Sequence, residues 1–359
     1  MAETKYADYD QEYELTGDDI RMLVDLSWQN HEKVDVSENR IHSLDERLLV
    51  ALLKDRSTGK NILWCTSNYA RYGKKFINNA EIKIELITGL NGNIIRPRTK
   101  KGEREQKKRI RDKAEVFTPS WVCNAQNNLI DDAWLKLEHC FNVESDRTWI
   151  TTTARVPFEQ SGKTWQDYVL DKRLEISCGE APYLVSRYDT VTGEIIEPRS
   201  RIGILDRKIR VVNENAGDGE WFVWTKRAFQ STYGYEWQGD SLLIARENLL
   251  YTFCDYYFER YRRQPGVELQ REIAEVISWN IWQMDGLKGV VPDSCITKTD
   301  IQFSFFGEEK IECKCEGCLK NDIYKHTGIY CKVRDWTAIE HRVKSTIRFV
   351  DLFDRGSKR

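Results

Sequence analysis

The sequence predicts an α/β protein, and three observations predict it. Short apolar runs that end at a carboxylate and break into a turn recur at Leu174-Glu175-Ile176, Tyr233-Gly234-Tyr235-Glu236 and Trp279 through Asp285-Gly286. Apolar residues at helical spacing fill 241–250, between the second run and the third. Finally, 359 residues at 40% hydrophobic and 31% charged are enough for two or three domains with cores of their own. No run approaches the roughly 20 apolar residues of a membrane helix. Residues 1–19 carry neither a basic start nor an apolar stretch. Both point to a cytoplasmic protein, and ten scattered cysteines suit that compartment. Three segments are expected: an α/β module at 1–113, a central domain at 114–292, and a Cys-rich module at 293–359.

In the first segment, 18–26 and 44–54 read as helices, 62–65 as a short strand after the Gly59-Lys60-Asn61 turn, and 82–87 as a second strand. The segment ends in a charge run. Residues 96–113 hold ten Lys and Arg against three acids, a net of +7, in a chain whose overall formal charge is -2. Such a run is either a solvated helix face or a phosphate-contacting segment. Arg96, Arg98, Lys100, Lys101, Lys107, Lys108 and Arg109 are the candidates for contacts to DNA.

In the central segment, apolar residues at 168–170 and 174–176 lead into Ser177-Cys178-Gly179-Glu180, with a helix-like stretch at 183–188. Ligands of nucleotide-type folds sit beyond the carboxyl ends of sheet strands, where a glycine lets backbone approach them. Glu236 ends the next strand, where a carboxylate can accept both hydroxyl protons of a ribose; it can equally cap the following helix. Asp285, before Gly286, can accept from an exocyclic amine or serve as a turn residue. The 61 positions between Glu175 and Glu236 require an insertion containing residues 203–208.

Taken with Phe117-Thr118-Pro119, these segments resemble the motif order of gamma-class adenine-N6 DNA methyltransferases, and more closely the restriction-modification methyltransferase subunits related to type IIG enzymes. The resemblance covers roughly residues 96–335. It implies a Rossmann-like core that binds S-adenosylmethionine. Phe117, Thr118 and Pro119 would close over the methionine end. Glu175, Ser177, Cys178, Gly179 and Glu180 would form the loop beneath it, with Glu236 at the ribose and Asp285 and Gly286 at the adenine. It implies DNA as partner. The chain departs from the family in having Ala181-Pro182 where the loop's second glycine belongs. It also has no Asn/Asp/Ser-Pro-Pro-aromatic tetrapeptide, for none of its seven prolines is doubled. In the family that tetrapeptide accepts the hydrogens of the adenine amine and stacks the flipped base. Two functions follow: a methyltransferase component whose catalytic residues are unidentified or come from a second subunit, or a catalytically inactive DNA-binding or phage-defence subunit with the same core.

In the last segment Cys313-Lys314-Cys315-Glu316-Gly317-Cys318, with His326 and Cys331 beyond, has the spacing of thiolates that share a tetrahedral zinc. Cys313, Cys315, Cys318 and Cys331 are the expected ligands of a structural site; buried free thiols are the other reading.

Overall fold

The structure, a computed structural model, describes residues 36–113, 118–304, 307–337 and 345–356. The expected helix at 18–26 and Phe117 lie outside them. The fold is mixed α/β. Helices α1 (Glu38–Leu44) and α2 (Glu46–Leu53) are joined at Asp45, whose side chain accepts from the Arg47 amide and caps α2. Leu48, Leu49, Leu52 and Leu53 put one face of α2 into the core. Residues 61–82 then cross the core edge as a bridged loop, Ile82 donating to the Ile62 carbonyl at 2.8 Å. The strand expected at 82–87 is a short helix instead, α3 (Ile84–Ile87). Its alternating apolar residues bury only Leu86 and Ile87, and no neighbouring strand offers Glu85 a ladder. The charge run supplies α4 (Glu103–Lys113), and Pro119 leads into α5 (Ser120–Leu135).

A hairpin of β1 (Asn142–Ser145) and β2 (Thr148–Thr151) precedes α6 (Trp165–Leu170). Residues 168–170, expected to be extended, are therefore helical. Thr164 and Asp167 form a capping box that starts a helix there, and Asp171 ends it. The chain next enters β3 (Arg173–Glu175). Helices α7 (Ile204–Asn215) and α8 (Asp218–Gln230) fill the long insertion and return it to β4 (Thr232–Glu236). Helices α9 (Gly239–Tyr261) and α10 (Val267–Asn280) return it to β5 (Ile281–Gln283). The three strands are parallel in the order β3-β4-β5, with Glu175 opposite Gly234 and Glu236 opposite Gln283. Beyond them lie an antiparallel pair, β6 (Lys298–Ser304) and β7 (Gly307–Cys313), helix α11 (Glu316–Lys320), and a second pair, β8 (Lys332–Arg334) and β9 (Thr346–Arg348).

Helix α9 is the axis of the molecule. Every residue from 239 to 257 is buried, so the stretch that reads as amphipathic is enclosed on all sides, packed against α10, α2 and the sheet. Its charged residues are accordingly matched. Asp240 pairs with Arg109 at 2.8 Å and Lys101 at 3.8 Å, and accepts from the Tyr69 hydroxyl at 2.8 Å. Asp255 pairs with Arg187 and Arg201, and Arg246 donates to the Ile281 carbonyl at 2.8 Å. Glu247 has no such partner. Burial and the nearby Glu38 push its carboxyl well above the usual range. One apolar cluster runs from Val36 to Ile281, so the described parts of 1–113 and 114–292 share a core. A smaller cluster with Trp282, Met284, Val333 and Phe349 lies beneath the C-terminal strands.

Replacing Asp240 by Ala removes a shared counter-charge from two buried cations. It should destabilise the protein by about 3–5 kcal/mol, read as a drop in the urea midpoint, while an exposed control such as Lys74→Ala should stay within about 0.5 kcal/mol of wild type.

Candidate ligand cavity and metal centre

A cavity of about 900 Å³ opens at the carboxyl ends of β3 and β4. That is large enough for a cofactor-sized molecule, for which pockets run to about 300–1,000 Å³. Its floor is the turn after β3, made by Ser177, Cys178 and Gly179. This loop is bent tightly, with positive φ at Ser177 (51°), Gly179 (55°) and Ala181 (66°). Two of those residues are not glycine, and such strain persists only where surrounding contacts over-determine it. Here the Cys178 amide donates to the Tyr235 carbonyl at 2.8 Å, and the Gly179 amide to Glu236 Oε2 at 2.9 Å. Residues 183–188, expected to be helical, continue as turns from which the Tyr183 carbonyl accepts the Ile204 amide.

Glu236 also takes the Gln238 amide on Oε1 at 3.0 Å. A carboxylate offers about four acceptor positions, and the amides around Glu236 do not fill them all. Burial raises its pKa, and the amides of Gln238, Gly179 and Trp237 oppose that. Glu175, half-buried as a residue, has its Oε2 shut away from solvent with no hydrogen-bond partner among the described residues. Burial pushes its carboxyl well above the usual range, the amides of Tyr183 and Leu184 pull it down, and the charge of Glu236 adds to the rise. The cavity wall contains two further buried polar atoms without partners, Asn127 Oδ1 and Ser241 Oγ. Buried polar groups of this kind are costly to leave without a partner.

Thr118, Glu175, Ser177, Cys178, Gly179 and Glu236, chosen from three separate stretches of sequence, all line this one cavity. Pro119 sits beside it as the cap residue of α5. Glu180 is turned to structural use, its Oε1 accepting from the Arg98 amide and its Oε2 from the Tyr188 hydroxyl, both at 2.7 Å. Asp285 and Gly286 are not among the lining residues. Asp285 Oδ1 accepts from the Leu287 amide and Oδ2 pairs with Lys288 at 3.1 Å, while Gly286 lies against the Tyr235 ring. Sequence reasoning missed Gln126, Asn127 and Ile130 on α5 and Trp237, Gln238 and Ser241 after β4. The i, i+3/i+4 spacing of the first three, directly after Thr118-Pro119, was the available signal.

The charge run divides in two. Lys101 and Arg109, expected to contact DNA, are 3% and 1% exposed and belong to Asp240; helix α4 turns that face inward. Arg96 pairs with Glu105 and Lys107 with Glu103, Arg98 is half-buried, and Lys100 is exposed. The side chain of Lys108 lies outside the described part.

The second centre lies in the C-terminal segment. Cys295, Cys315, Cys318 and His326 bring their ligand atoms within 4.8 Å of one another. All three sulfurs stand 3.6 Å from His326 Nδ1. A tetrahedral zinc, with Zn–S of about 2.3 Å and Zn–N of about 2.05 Å, separates sulfur and nitrogen by about 3.6 Å, so the donor set fits that ion. Burial opposes ionisation of Cys315, but hydrogen bonds from Thr327, Cys318 and His326 pull it down to about 5. The Thr327 amide donates to its sulfur at 3.2 Å. Cys331, expected as a ligand, is elsewhere: it is fully buried in the small apolar cluster, with its sulfur on the Gln283 carbonyl. Cys295 and His326 complete the set instead. The side chain of Cys313 lies outside the described part.

No protein-family model matches the chain, and no curated protein and no solved structure matches it either. Among the described residues no helix is long and apolar enough to cross a membrane.

The raised carboxyl of Glu175 makes a pH prediction. Its folded pKa lies above the unfolded value, so folding stability is lost as pH rises above about 4.5. Gln at this position does not titrate. The stability of Glu175→Gln relative to wild type should therefore climb with pH from about 4.5, at up to about 1.4 kcal/mol per unit. Parallel urea-derived stabilities for the two proteins across pH 5–8 check this, and a difference that stays constant with pH would refute it.

Proposed function

We propose that the chain is an S-adenosylmethionine-binding component of an adenine-N6 DNA methylation system of the restriction-modification type, built on a Rossmann-like core. The observation that carries this reading is the cavity itself. The segments singled out by their resemblance to methyltransferase motifs, at Thr118, Glu175 to Gly179, and Glu236, meet in one space at the carboxyl ends of adjacent parallel strands, the place where nucleotide-type folds hold their ligands. The parallel order β3-β4-β5 with helical crossovers also agrees with half of such a core.

In this reading the remaining acceptor capacity of Glu236 serves the ribose. Glu175, with the backbone of the 177–179 loop, receives the methionine end, where a cationic amine would favour the ionised carboxylate. The cofactor supplies an activated methyl group. The chain's own residues bind it, orient it, and exclude water with the walls of α5 and the 177–179 loop. Acceptors for the adenine amine are not supplied by any Pro-Pro tetrapeptide of this sequence and would come from unidentified residues or a second subunit. A second reading, an inactive DNA-binding or defence subunit with the same pocket, is favoured by that missing tetrapeptide and by Asp285 being tied to Lys288 outside the cavity. The Cys295–Cys315–Cys318–His326 group would hold a structural zinc, since all four protein ligands leave no open coordination position.

Calorimetric titration of the purified chain with S-adenosylmethionine should give saturable one-to-one binding, weakened at least tenfold in Glu236→Ala with the circular dichroism unchanged. A wild-type titration without binding heat, confirmed by equilibrium dialysis, would end the cofactor reading. Elemental analysis should find about one zinc per chain, lost in Cys315→Ser and in His326→Ala but retained in Cys331→Ser. Retention in the first two, or metal-free wild type, would remove the zinc assignment.

A further inference from the structure

The loop between the Trp64 edge and Phe76 has a composition that neither the core nor the cavity explains. Residues 66–80 contain three cations and no acid. Arg71, Lys74 and Lys75 are all exposed, and Tyr72 between them is 44% exposed. Arg71 lies over the Tyr72 ring at 4.9 Å and donates to its hydroxyl at 3.0 Å. Neither Lys74 nor Lys75 has an acidic partner among the described residues. A cluster of cations held together without counter-charge is self-repelling, and an exposed tyrosine beside it adds a flat stacking surface.

The loop is nevertheless firmly held. Trp64 packs on Tyr69 and Phe76 with ring centroids 4.6 and 5.3 Å apart, and Tyr72 leans on Phe76 at 5.6 Å. Gly73 makes the reversal at φ 117°, a conformation that a side chain at this position would strain. At its base the Trp64 carbonyl accepts the Gly239 amide at 3.0 Å, the Leu63 carbonyl accepts Gln283 Nε2 at 2.8 Å, and the Tyr69 hydroxyl reaches Asp240. Those partners follow β4 or end β5, so the loop caps the same carboxyl edge of the sheet at which the cavity opens. Cavity residues Trp237, Gln238 and Ser241 flank Gly239 and Asp240 in sequence. The exposed cations Lys100, Arg104 and Lys107 of the 96–113 run are anchored to Asp240 as well, through Lys101 and Arg109.

We propose that the loop carrying Arg71, Tyr72, Lys74 and Lys75 is a DNA-contacting element, its three cations on backbone phosphates and the Tyr72 ring against a base displaced from the stack. The choice of DNA as the polyanion rests on the function proposed above; the existence of a polyanion-binding edge rests on the loop alone. Pre-ordering by the aromatic cluster lowers the entropy lost on binding, and exposed Lys and Arg give that binding a strong salt dependence.

The test is fluorescence anisotropy of the full chain with a short mixed-sequence duplex, and with one of its strands alone, between about 50 and about 200 mM salt. The triple variant Arg71→Gln, Lys74→Gln, Lys75→Gln should bind the duplex at least tenfold more weakly. Its slope of log affinity against log salt should be shallower by about 2.7, three phosphate contacts at about 0.9 each. Tyr72→Ala should weaken binding of the single strand by more than that of the duplex. Arg71, Lys74 and Lys75 are exposed and lie outside the aromatic cluster, so the melting temperature of the triple variant should stay at the wild-type value. Unchanged affinity and slope in the triple variant, or wild type that does not bind either oligonucleotide, would overturn the proposal. The S-adenosylmethionine titration separates this failure from that of the function. If the cofactor is bound but the loop variant behaves as wild type, only the loop assignment falls. If the cofactor is not bound but the loop variant loses DNA, the loop stands and the cofactor reading falls.

Discussion

A single buried carboxylate, Asp240, organises the face on which the candidate chemistry lies. It sits in the first turn of the central helix, where the helix dipole favours a negative charge. Burial opposes its ionisation, but Arg109 and Lys101 together with the Tyr69 and Arg109 hydrogen bonds outweigh that and hold its pKa below the ordinary value. Two chain segments converge there from more than a hundred residues away, the loop after Trp64 and the charge run, just past the end of β4. Gly239 next to it has to be glycine, because a Cβ would stand 2.0 Å from the Leu63 carbonyl oxygen. The approach of the loop to the strand ends therefore depends on a residue without a side chain and a charge without solvent.

The cavity and the cysteine centre illustrate two ways of holding a polar group in place. In the cavity, strained backbone at Ser177 and Ala181 is offset by hydrogen bonds to Tyr235 and Glu236, and Glu175, Asn127 and Ser241 each keep a buried oxygen without a partner among the described residues. In the C-terminal segment four ligand atoms lie at the separations of a tetrahedral ion, and the surrounding backbone is stitched to the turn after β5. The Val291 amide donates to the Ile329 carbonyl and the Cys331 amide to the Gly289 carbonyl, each near 3 Å. The Cys295 and Cys318 thiols raise the pKa of Lys288, after its hydrogen bond to Asp285.

Much of this was visible in the residues. Thr118, Glu175 to Gly179 and Glu236 were picked out by acid-ended runs beside turns and by their resemblance to methyltransferase motifs, and all of them line the cavity. The strand at Thr232–Glu236 and the helix after it were equally legible from apolar spacing. Elsewhere local pattern misled. Alternation at 82–87 suggested a strand, but a strand needs a neighbour, and at 168–170 a capping box outweighed β-branched and aromatic propensity. Lys101 and Arg109 looked like their solvated neighbours Lys100 and Lys107, since only the position of Asp240, more than 130 residues later in the case of Arg109, decides which cations turn inward.

By itself, then, the sequence determined the periodic elements, the acid-ended strands and the presence of a thiol-rich knuckle, because each is written in residues close together along the chain. Tertiary structure alone decided which of those residues meet. It put Cys295 rather than Cys331 with Cys315 and Cys318, enclosed a helix that reads as amphipathic, left Asp285 outside the cavity that Glu175 and Glu236 share, and set a basic loop at the cavity's edge. The physical reason is common to all four. Ligand geometry, ion pairing and burial are properties of distances across space, and those distances are fixed by packing around α9 rather than by spacing along the chain.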